Sequence, residues 1–129
     1  MVGTKVIYLD THVLLYLFDG DANRLGPAGR KAIERGDLVA SAAVVLELEF
    51  LHEVGRLKPT ASKLISTVST DIGLRVCDLP FRKVVDQALG EGWTRDPFDR
   101  LIVANAKAAR ATLVTRDERI RAHYSRALW

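Results

Sequence analysis

Compact apolar runs alternate along the chain with segments whose apolar residues recur at helical spacing. The runs predict buried strands at residues 5–9, 38–41, 74–79 and 111–115. Helical spacing, with capping residues at the ends, predicts helices at 11–18, 27–35, 41–55, 60–71, 81–91, 97–109 and 117–124. Residues 126–129 are expected to form a weak edge strand. This alternation predicts an α/β fold with a central parallel sheet of four to five strands, covered by helices on both faces.

Two aspartates stand at the carboxyl ends of predicted strands. Asp10 ends the run VIYL, and Asp117 follows TLVTR. Ligands bind at this edge of open α/β sheets, so both side chains are candidates for a ligand site. Each aspartate alone could equally be a helix cap at a strand-to-helix turn. Two of them on one edge favour a site.

Glu47 lies in a helical segment where its neighbours three and four residues away are all apolar: Ala43, Val44, Phe50 and Leu51. We therefore expect its carboxylate to point toward the core side, where it needs a partner. No Lys or Arg stands at these spacings to neutralise it. A metal ion or a salt bridge from a distant Arg are the two alternatives.

The stretch RDPFDRLIVANA places Asp96 and Asp99 around Pro97 and Phe98. Asp, then Pro at the first helical position, then a second acid is a typical helix start, because the free N–H groups of the first turn favour carboxylates. On this stretch alone, capping and metal binding are equally supported. Asp99 also stands at an apolar margin beside Ile102 and Val103, as Glu47 does on its own helix.

The charge of the chain bears on both the site and the partner. It has 19 Lys and Arg, 16 Asp and Glu, and a net charge of +3. If Asp10, Glu47, Asp96, Asp99 and Asp117 gather, 11 acids remain against 19 basic residues, 13 of them Arg. This excess favours a polyanionic partner, with an ordinary basic surface as the alternative. Clustered carboxylates repel each other unless a divalent cation neutralises them, which predicts Mg²⁺ or Mn²⁺.

Length and composition exclude several classes of protein. The 129 residues, 48% of them hydrophobic, fit a single domain over 1–129. Apolar runs are shorter than a membrane span of about 20 residues, and Asp10 and His12 interrupt the N-terminal run, so we expect no membrane segment or signal peptide and a cytoplasmic location. The single cysteine, Cys77, is expected to be inert core. The three histidines lack zinc-ligand spacing.

Four segments together resemble the acidic blocks of the PIN-domain family: VIYLDTHVLLY, SAAVVLELEFLHEVGRL, RDPFDRLIVANA and TLVTRDERI. They stand in the family's order and span residues 5–129. Each block is weak alone, but the combination is specific. The DPFDR of the third block is most similar to the bacterial branch that contains the VapC toxins. His12, where many of those toxins have Asn, departs from the pattern and blurs the subfamily.

The resemblance implies a three-layer α/β/α fold and a metal-dependent endoribonuclease that hydrolyses single-stranded or structured RNA with water as the nucleophile. It also implies the toxin role of a toxin–antitoxin pair, a cognate antitoxin as partner, and a homodimer. The family's acidic positions carry over as catalytic and metal-binding residues, with Mg²⁺ or Mn²⁺ as cofactor, to Asp10, Glu47, Asp99 and Asp117. Asp96 is a further candidate ligand, or only a cap.

Other residues near these acids are candidates for supporting roles. Thr11 and Thr115 flank two of the acids and are expected to hydrogen-bond around the site. The candidates for gripping the RNA backbone are Arg100 and Arg116, with Arg95 and Arg119 next. For each arginine, a solvated or structural role is the equal alternative.

Two other enzyme classes are excluded by the turn after the first strand. A haloacid-dehalogenase-like phosphatase needs a second Asp two residues after Asp10, where this chain has His12, and a response-regulator receiver needs an acidic pair there. The remaining alternative is a catalytically silent PIN-like scaffold that binds RNA or a protein partner. All four acids are present, so the sequence favours the enzyme.

Overall fold

The structure, a computed structural model, describes residues 4–129. Its centre is a five-stranded sheet in which every neighbouring pair is parallel. In chain order the strands are β1 (Val6–Leu9), β2 (Asp37–Ala40), β3 (Arg75–Val76), β4 (Thr112–Val114) and β5 (Ala127–Leu128). Their order across the sheet is β3-β2-β1-β4-β5. Strands β2 and β3 therefore lie on one side of β1, and β4 and β5 lie on the other side.

Seven α-helices connect and cover these strands within residues 4–129. They are α1 (Thr11–Phe18), α2 (Pro27–Arg35), α3 (Ala42–Glu53), α4 (Ala61–Ile72), α5 (Phe81–Ala88), α6 (Pro97–Ala108) and α7 (Glu118–His123). A short 3₁₀ turn, Ala22–Arg24, lies in the predicted loop at 19–26. The predicted three-layer α/β/α fold is confirmed, and the sheet has the upper of the two expected strand numbers. None of the helices in this part of the chain is long and apolar enough to cross a membrane.

The core forms where the central strands meet the helices. Strands β1, β2 and β4 are almost wholly buried, as expected of strands covered on both faces. Helix α6 contributes a continuous buried run that includes Ile102, Val103 and Ala106. The segment LIVANAKAARATLV is therefore largely core.

The third strand differs from its prediction. A buried strand was expected at 74–79, but β3 holds only Arg75 and Val76, and both are exposed because β3 is the edge strand of the sheet. Cys77 lies beyond the strand and is only half-buried. Its Sγ accepts hydrogen bonds from the Tyr8 hydroxyl at 2.9 Å and the Asn105 amide at 3.2 Å. Cys77 thus packs at the margin of the core, where its hydrogen bonds link the sheet to α6.

Part of the apolar surface of helix α3 is not core. Val44 and Leu48 are fully buried, whereas Leu46, Phe50 and Val54 are exposed at 64%, 46% and 51%. The exposed residues follow one another at a spacing of four and so form one stripe along the helix. The helix pattern gave the spacing correctly but could not show which apolar residues a neighbouring element covers.

Candidate functional site

A cleft of about 440 Å³ opens near the carboxyl ends of β1 and β4. All five acids singled out in the sequence line it, together with three further side chains. The lining is formed by Asp10, His12, Tyr16, Glu47, Asp96, Asp99, Arg116 and Asp117. We call this the acidic cleft. Four separate segments of the chain meet there, because β1 and β4 are adjacent in the sheet and α3 and α6 pack against each other.

Asp10 lies at the base of the acidic cleft, immediately after β1. Its side chain is 7% exposed and caps α1, with Oδ1 accepting from the Thr11 amide at 2.8 Å. Oδ2 accepts from the hydroxyl of Thr115, which is fully buried, at 2.6 Å. Two hydrogen bonds therefore fix both oxygens of a carboxylate that has little contact with solvent.

Asp117 reaches the cleft from the turn after β4. Its Oδ1 caps α7 by accepting from the amides of Arg119 and Ile120 at 2.8 and 3.2 Å. The Thr115 hydroxyl that donates to Asp10 also accepts from the Asp117 amide at 3.1 Å. Thr115 thus connects the two strand-end aspartates through a single oxygen.

Glu47 enters the cleft from the middle of α3. It is half-buried, and its Oε1 accepts a short hydrogen bond from the Thr11 hydroxyl. The expected position beside the core is only partly correct, since its neighbour Phe50 is exposed. The hydroxyls of Thr11 and Thr115 therefore each donate to one carboxylate of the cleft, Glu47 and Asp10 respectively.

Asp96 and Asp99 stand at the start of α6. Asp96 is the N-cap, and its Oδ1 accepts from the amides of Phe98 and Asp99 at 2.9 and 3.1 Å. The capping role of Asp96 is therefore present, and its side chain lines the cleft as well. The Asp99 carboxylate differs from the others, because no group within residues 4–129 donates a hydrogen bond to it.

Burial and mutual repulsion shift the titration of three of these acids. Burial is the main cause that raises the pKa of Asp10, and the hydrogen bonds from Thr115 and Thr11 oppose it. Burial likewise raises the pKa of Glu47 above its ordinary value, against the hydrogen bond from Thr11. The pKa of Asp99 is raised to about 7, first by burial and then by the charges of the other four acids.

The cleft fits a hard divalent cation by the chemistry of its donors. Carboxylate oxygens are the ligands that Mg²⁺ and Mn²⁺ prefer, and within the described chain none of the five acids forms an ion pair with Lys, Arg or His. The distant salt bridge considered for Glu47 is therefore not formed. The acids are too far apart, however, to form a complete set of metal ligands. Between Thr4 and Trp129, no three His, Cys, Asp or Glu side chains are grouped closely enough to hold a metal ion as they stand.

The four candidate arginines have different surroundings. Arg116 lines the acidic cleft and lies 3.4 Å from the Tyr16 hydroxyl, whereas Arg95 and Arg119 line an adjoining cleft. Arg100 donates to the carbonyls of Ala88 and Leu89, at 2.8 and 3.5 Å, where α5 ends. Its guanidinium thus joins α6 to the end of α5, which is the structural alternative considered for it.

Two lining residues were missed as site residues by the sequence reasoning. The sequence alone assigns neither His12 nor Tyr16 to the site. They stand four residues apart on α1, so they share the helix face that begins at the cap Asp10. That spacing was the available signal.

The chain is similar to proteins of one known family. A sequence model of the PIN domain matches residues 7–125. The chain belongs to the PIN-domain family. The resemblance noted in the sequence is confirmed, and this PIN domain is 36% identical over 124 residues to Ribonuclease VapC22 of Mycobacterium tuberculosis, with 91% of each chain covered.

Solved structures share the fold of this PIN domain. A toxin–antitoxin complex from Klebsiella pneumoniae matches with a TM-score of 0.64 at 18% identity, over 95% of this chain and 96% of that one. VapBC2 from Rickettsia felis, bound to a DNA fragment from their promoter, matches with a TM-score of 0.62 at 17% identity, over 91% and 92%. At these identities the likeness concerns the fold.

Proposed function

We propose that this PIN domain is a divalent-metal-dependent endoribonuclease that hydrolyses phosphodiester bonds of single-stranded RNA. One observation carries the proposal: four separate segments bring five carboxylates into one cleft, and no basic side chain of residues 4–129 is paired to any of them. Such a group of acids is costly unless a cation binds it. The 36% identical relative that is named a ribonuclease supports the substrate class.

Asp10, Asp99 and Asp117 would hold the metal ion, with Glu47 binding directly or through water and Asp96 as an additional ligand. When bound, Mg²⁺ or Mn²⁺ would lower the pKa of a water molecule and stabilise negative charge on the phosphate. The acids repel each other without a cation, which explains why they line one cleft and yet do not form a closed ligand set.

The chain's own residues orient the acids and the substrate. Thr115 and Thr11 fix the directions of the Asp10 and Glu47 carboxylates by donating hydroxyl hydrogen bonds. Arg116 stands on the wall of the acidic cleft, where its guanidinium can contact an RNA phosphate. Arg95 and Arg119 extend this basic wall into the adjoining cleft.

We further propose that the protein is the toxin of a toxin–antitoxin pair and is inhibited by a cognate antitoxin. The names of the similar proteins support this role, since one solved structure with this fold is a toxin–antitoxin complex and the curated relative is a VapC ribonuclease. The homodimer and the cytoplasmic location remain predictions.

Cleavage of a labelled single-stranded RNA tests the nuclease proposal. Wild-type protein should cut the RNA with Mn²⁺ or Mg²⁺ and stop when EDTA is added. Asp10→Asn and Asp99→Asn should abolish cutting and keep the circular dichroism spectrum. Asp71→Asn is the matched control, because this exposed acid at the end of α4 lies outside the acidic cleft. Cutting that survives both cleft substitutions would contradict the proposal.

A silent scaffold is the second candidate, and the open spacing of the acids favours it. It predicts that the wild-type protein binds RNA or a protein partner but leaves labelled RNA intact with Mn²⁺ at any concentration. The same cleavage assay therefore separates the two functions.

A further inference from the structure

A second cleft adjoins the acidic cleft and shares Asp96 and Asp99 with it. Its volume is about 600 Å³, and its other lining residues are Gly92, Trp93, Thr94, Arg95 and Arg119. The loop 89–96 between α5 and α6 supplies most of this lining, and α7 supplies Arg119. We call it the Trp93 cleft. Its lining thus combines two acids with an aromatic side chain and two arginines.

Contacts on several sides hold Trp93 in place. The imidazole of His123 stacks on the indole, with ring centroids 4.5 Å apart and planes 7° from parallel. Arg119 donates a short hydrogen bond to the Trp93 carbonyl, and its guanidinium carbon lies 5.8 Å from the indole centroid. His123 covers one face of the indole, yet the half-buried Trp93 still lines the cleft. Trp93 is therefore held in a fixed position at the border of the cleft, with its indole Nε1 buried.

The two arginines place positive charge around this ring. Arg95 donates to the Gly92 carbonyl at 2.7 Å, which leaves further guanidinium N–H groups on the cleft wall. Arginines alone would attract any polyanion. An aromatic side chain in the same cleft adds a ring on which a nucleobase can stack, and this combination is the one that proteins use to bind single-stranded nucleic acids.

We propose that the Trp93 cleft is a nucleobase-binding subsite for single-stranded RNA. One unpaired base stacks on Trp93, while Arg95 and Arg119 contact the flanking phosphates. The inference rests on the proposed nuclease function, because the shared residues Asp96 and Asp99 place the subsite beside the phosphate to be cut. Stacking tolerates every base, so the subsite selects for an unpaired nucleotide rather than for a sequence.

Tryptophan fluorescence tests the subsite without altering Trp93. The double variant Asp99→Asn, Trp129→Phe has Trp93 as its sole tryptophan, and its binding of RNA can be measured without cleavage. A short single-stranded RNA should quench its emission. Replacing one nucleotide with an abasic residue, at each position in turn, should remove the quenching at one position and weaken binding about 5- to 150-fold there. The same RNA in a duplex should not quench.

A mutational cycle separates stacking from a purely structural role of Trp93. In the Asp99→Asn background, Trp93→Leu should weaken binding of the intact RNA but not of the RNA that is abasic at the sensitive position. Trp93→Phe, which keeps a ring, should retain most of the affinity. In the active enzyme, Trp93→Leu should raise KM more than it lowers kcat. Equal losses on intact and abasic RNA, or a flat abasic scan, would overturn the subsite.

The outcomes distinguish this inference from the nuclease proposal. If the RNA quenches Trp93 at one position but wild-type protein does not cut with Mn²⁺, the nuclease proposal fails and the subsite stands. If wild-type protein cuts and the abasic scan is flat, the subsite alone is refuted. A protein partner as the true occupant would also give a flat scan.

Discussion

Replacing Asp99 with Asn should stabilise the protein when no metal is present. The Asp99 carboxylate accepts no hydrogen bond from residues 4–129, so an amide of nearly the same shape removes its charge without breaking a hydrogen bond to that carboxylate. Its pKa is raised from 3.8 to about 7, mainly by burial and then by repulsion from the neighbouring acids. A raised pKa means that the ionised carboxylate destabilises the folded state.

The size of the effect follows from the shift. About three pKa units at about 1.4 kcal/mol each give an upper bound near 4 kcal/mol. Asp99 is only partly buried, so solvent screening should reduce the gain to about 1–2 kcal/mol. For a domain of this length, we expect the melting temperature to rise by about 3–10 °C.

The pH dependence of stability provides a second test of whether Asp99→Asn stabilises the protein. Above pH 7 the carboxylate is ionised in the folded and unfolded states, and its full cost is present. As the pH falls from about 7 to about 4, the folded state takes up the proton first, so wild-type stability should approach that of the variant. The advantage of Asp99→Asn should therefore be largest at pH 8 and shrink toward pH 4.

Thermal denaturation in EDTA, followed by circular dichroism, measures this difference. Asp71→Asn is the control for loss of an exposed acid and should change stability by less than about 0.5 kcal/mol. Adding Mn²⁺ should make the wild type melt at a higher temperature than Asp99→Asn, since only the wild type keeps the full set of metal ligands. A lower melting temperature for Asp99→Asn than for the wild type in EDTA at pH 8, with a native spectrum, would refute the proposed repulsion between the carboxylates of the acidic cleft.

Two further predictions concern the support of the site and the packing beneath it. Thr115→Val should cost about 2–3 kcal/mol in urea denaturation and lower kcat, because it leaves Oδ2 of the buried Asp10 without its donor, whereas Thr115→Ser should keep both stability and kcat. Gly36→Ala should cost about 1–3 kcal/mol, because its Cβ would stand 2.2 Å from the Ile7 side chain, whereas Gly92→Ala meets nothing within 4 Å. Equal stability of the members of either pair would contradict the respective argument.

Several features could be predicted from the sequence because each depends on local pattern. Asp10 and Asp117 were found from their positions after apolar runs, since the carboxyl ends of parallel strands lie at one edge. Glu47 was found from its apolar helical neighbours, and Asp96 from the helix-start signal. The parallel sheet followed from the alternation of elements.

Other features depend on contacts between distant segments and carried no local signal. The run LRVCDL is apolar, but β3 has a neighbour on one side only and is short and exposed. The stripe of Leu46, Phe50 and Val54 is exposed in the described part of the chain, which helical spacing cannot show. The stacking of Trp93 on His123 joins the loop before α6 to the end of α7, and only the structure could reveal it.

The account depends most on the uptake of a hard cation by the acidic cleft. Isothermal titration of the metal-free protein with Mn²⁺, at neutral pH, measures this directly. We predict saturable binding by the wild type, a marked loss of binding in Asp10→Asn and Asp99→Asn, and unchanged binding in Asp71→Asn. No uptake by the wild type, or equal uptake by all four proteins, would contradict the proposed metal site and the nuclease mechanism built on it.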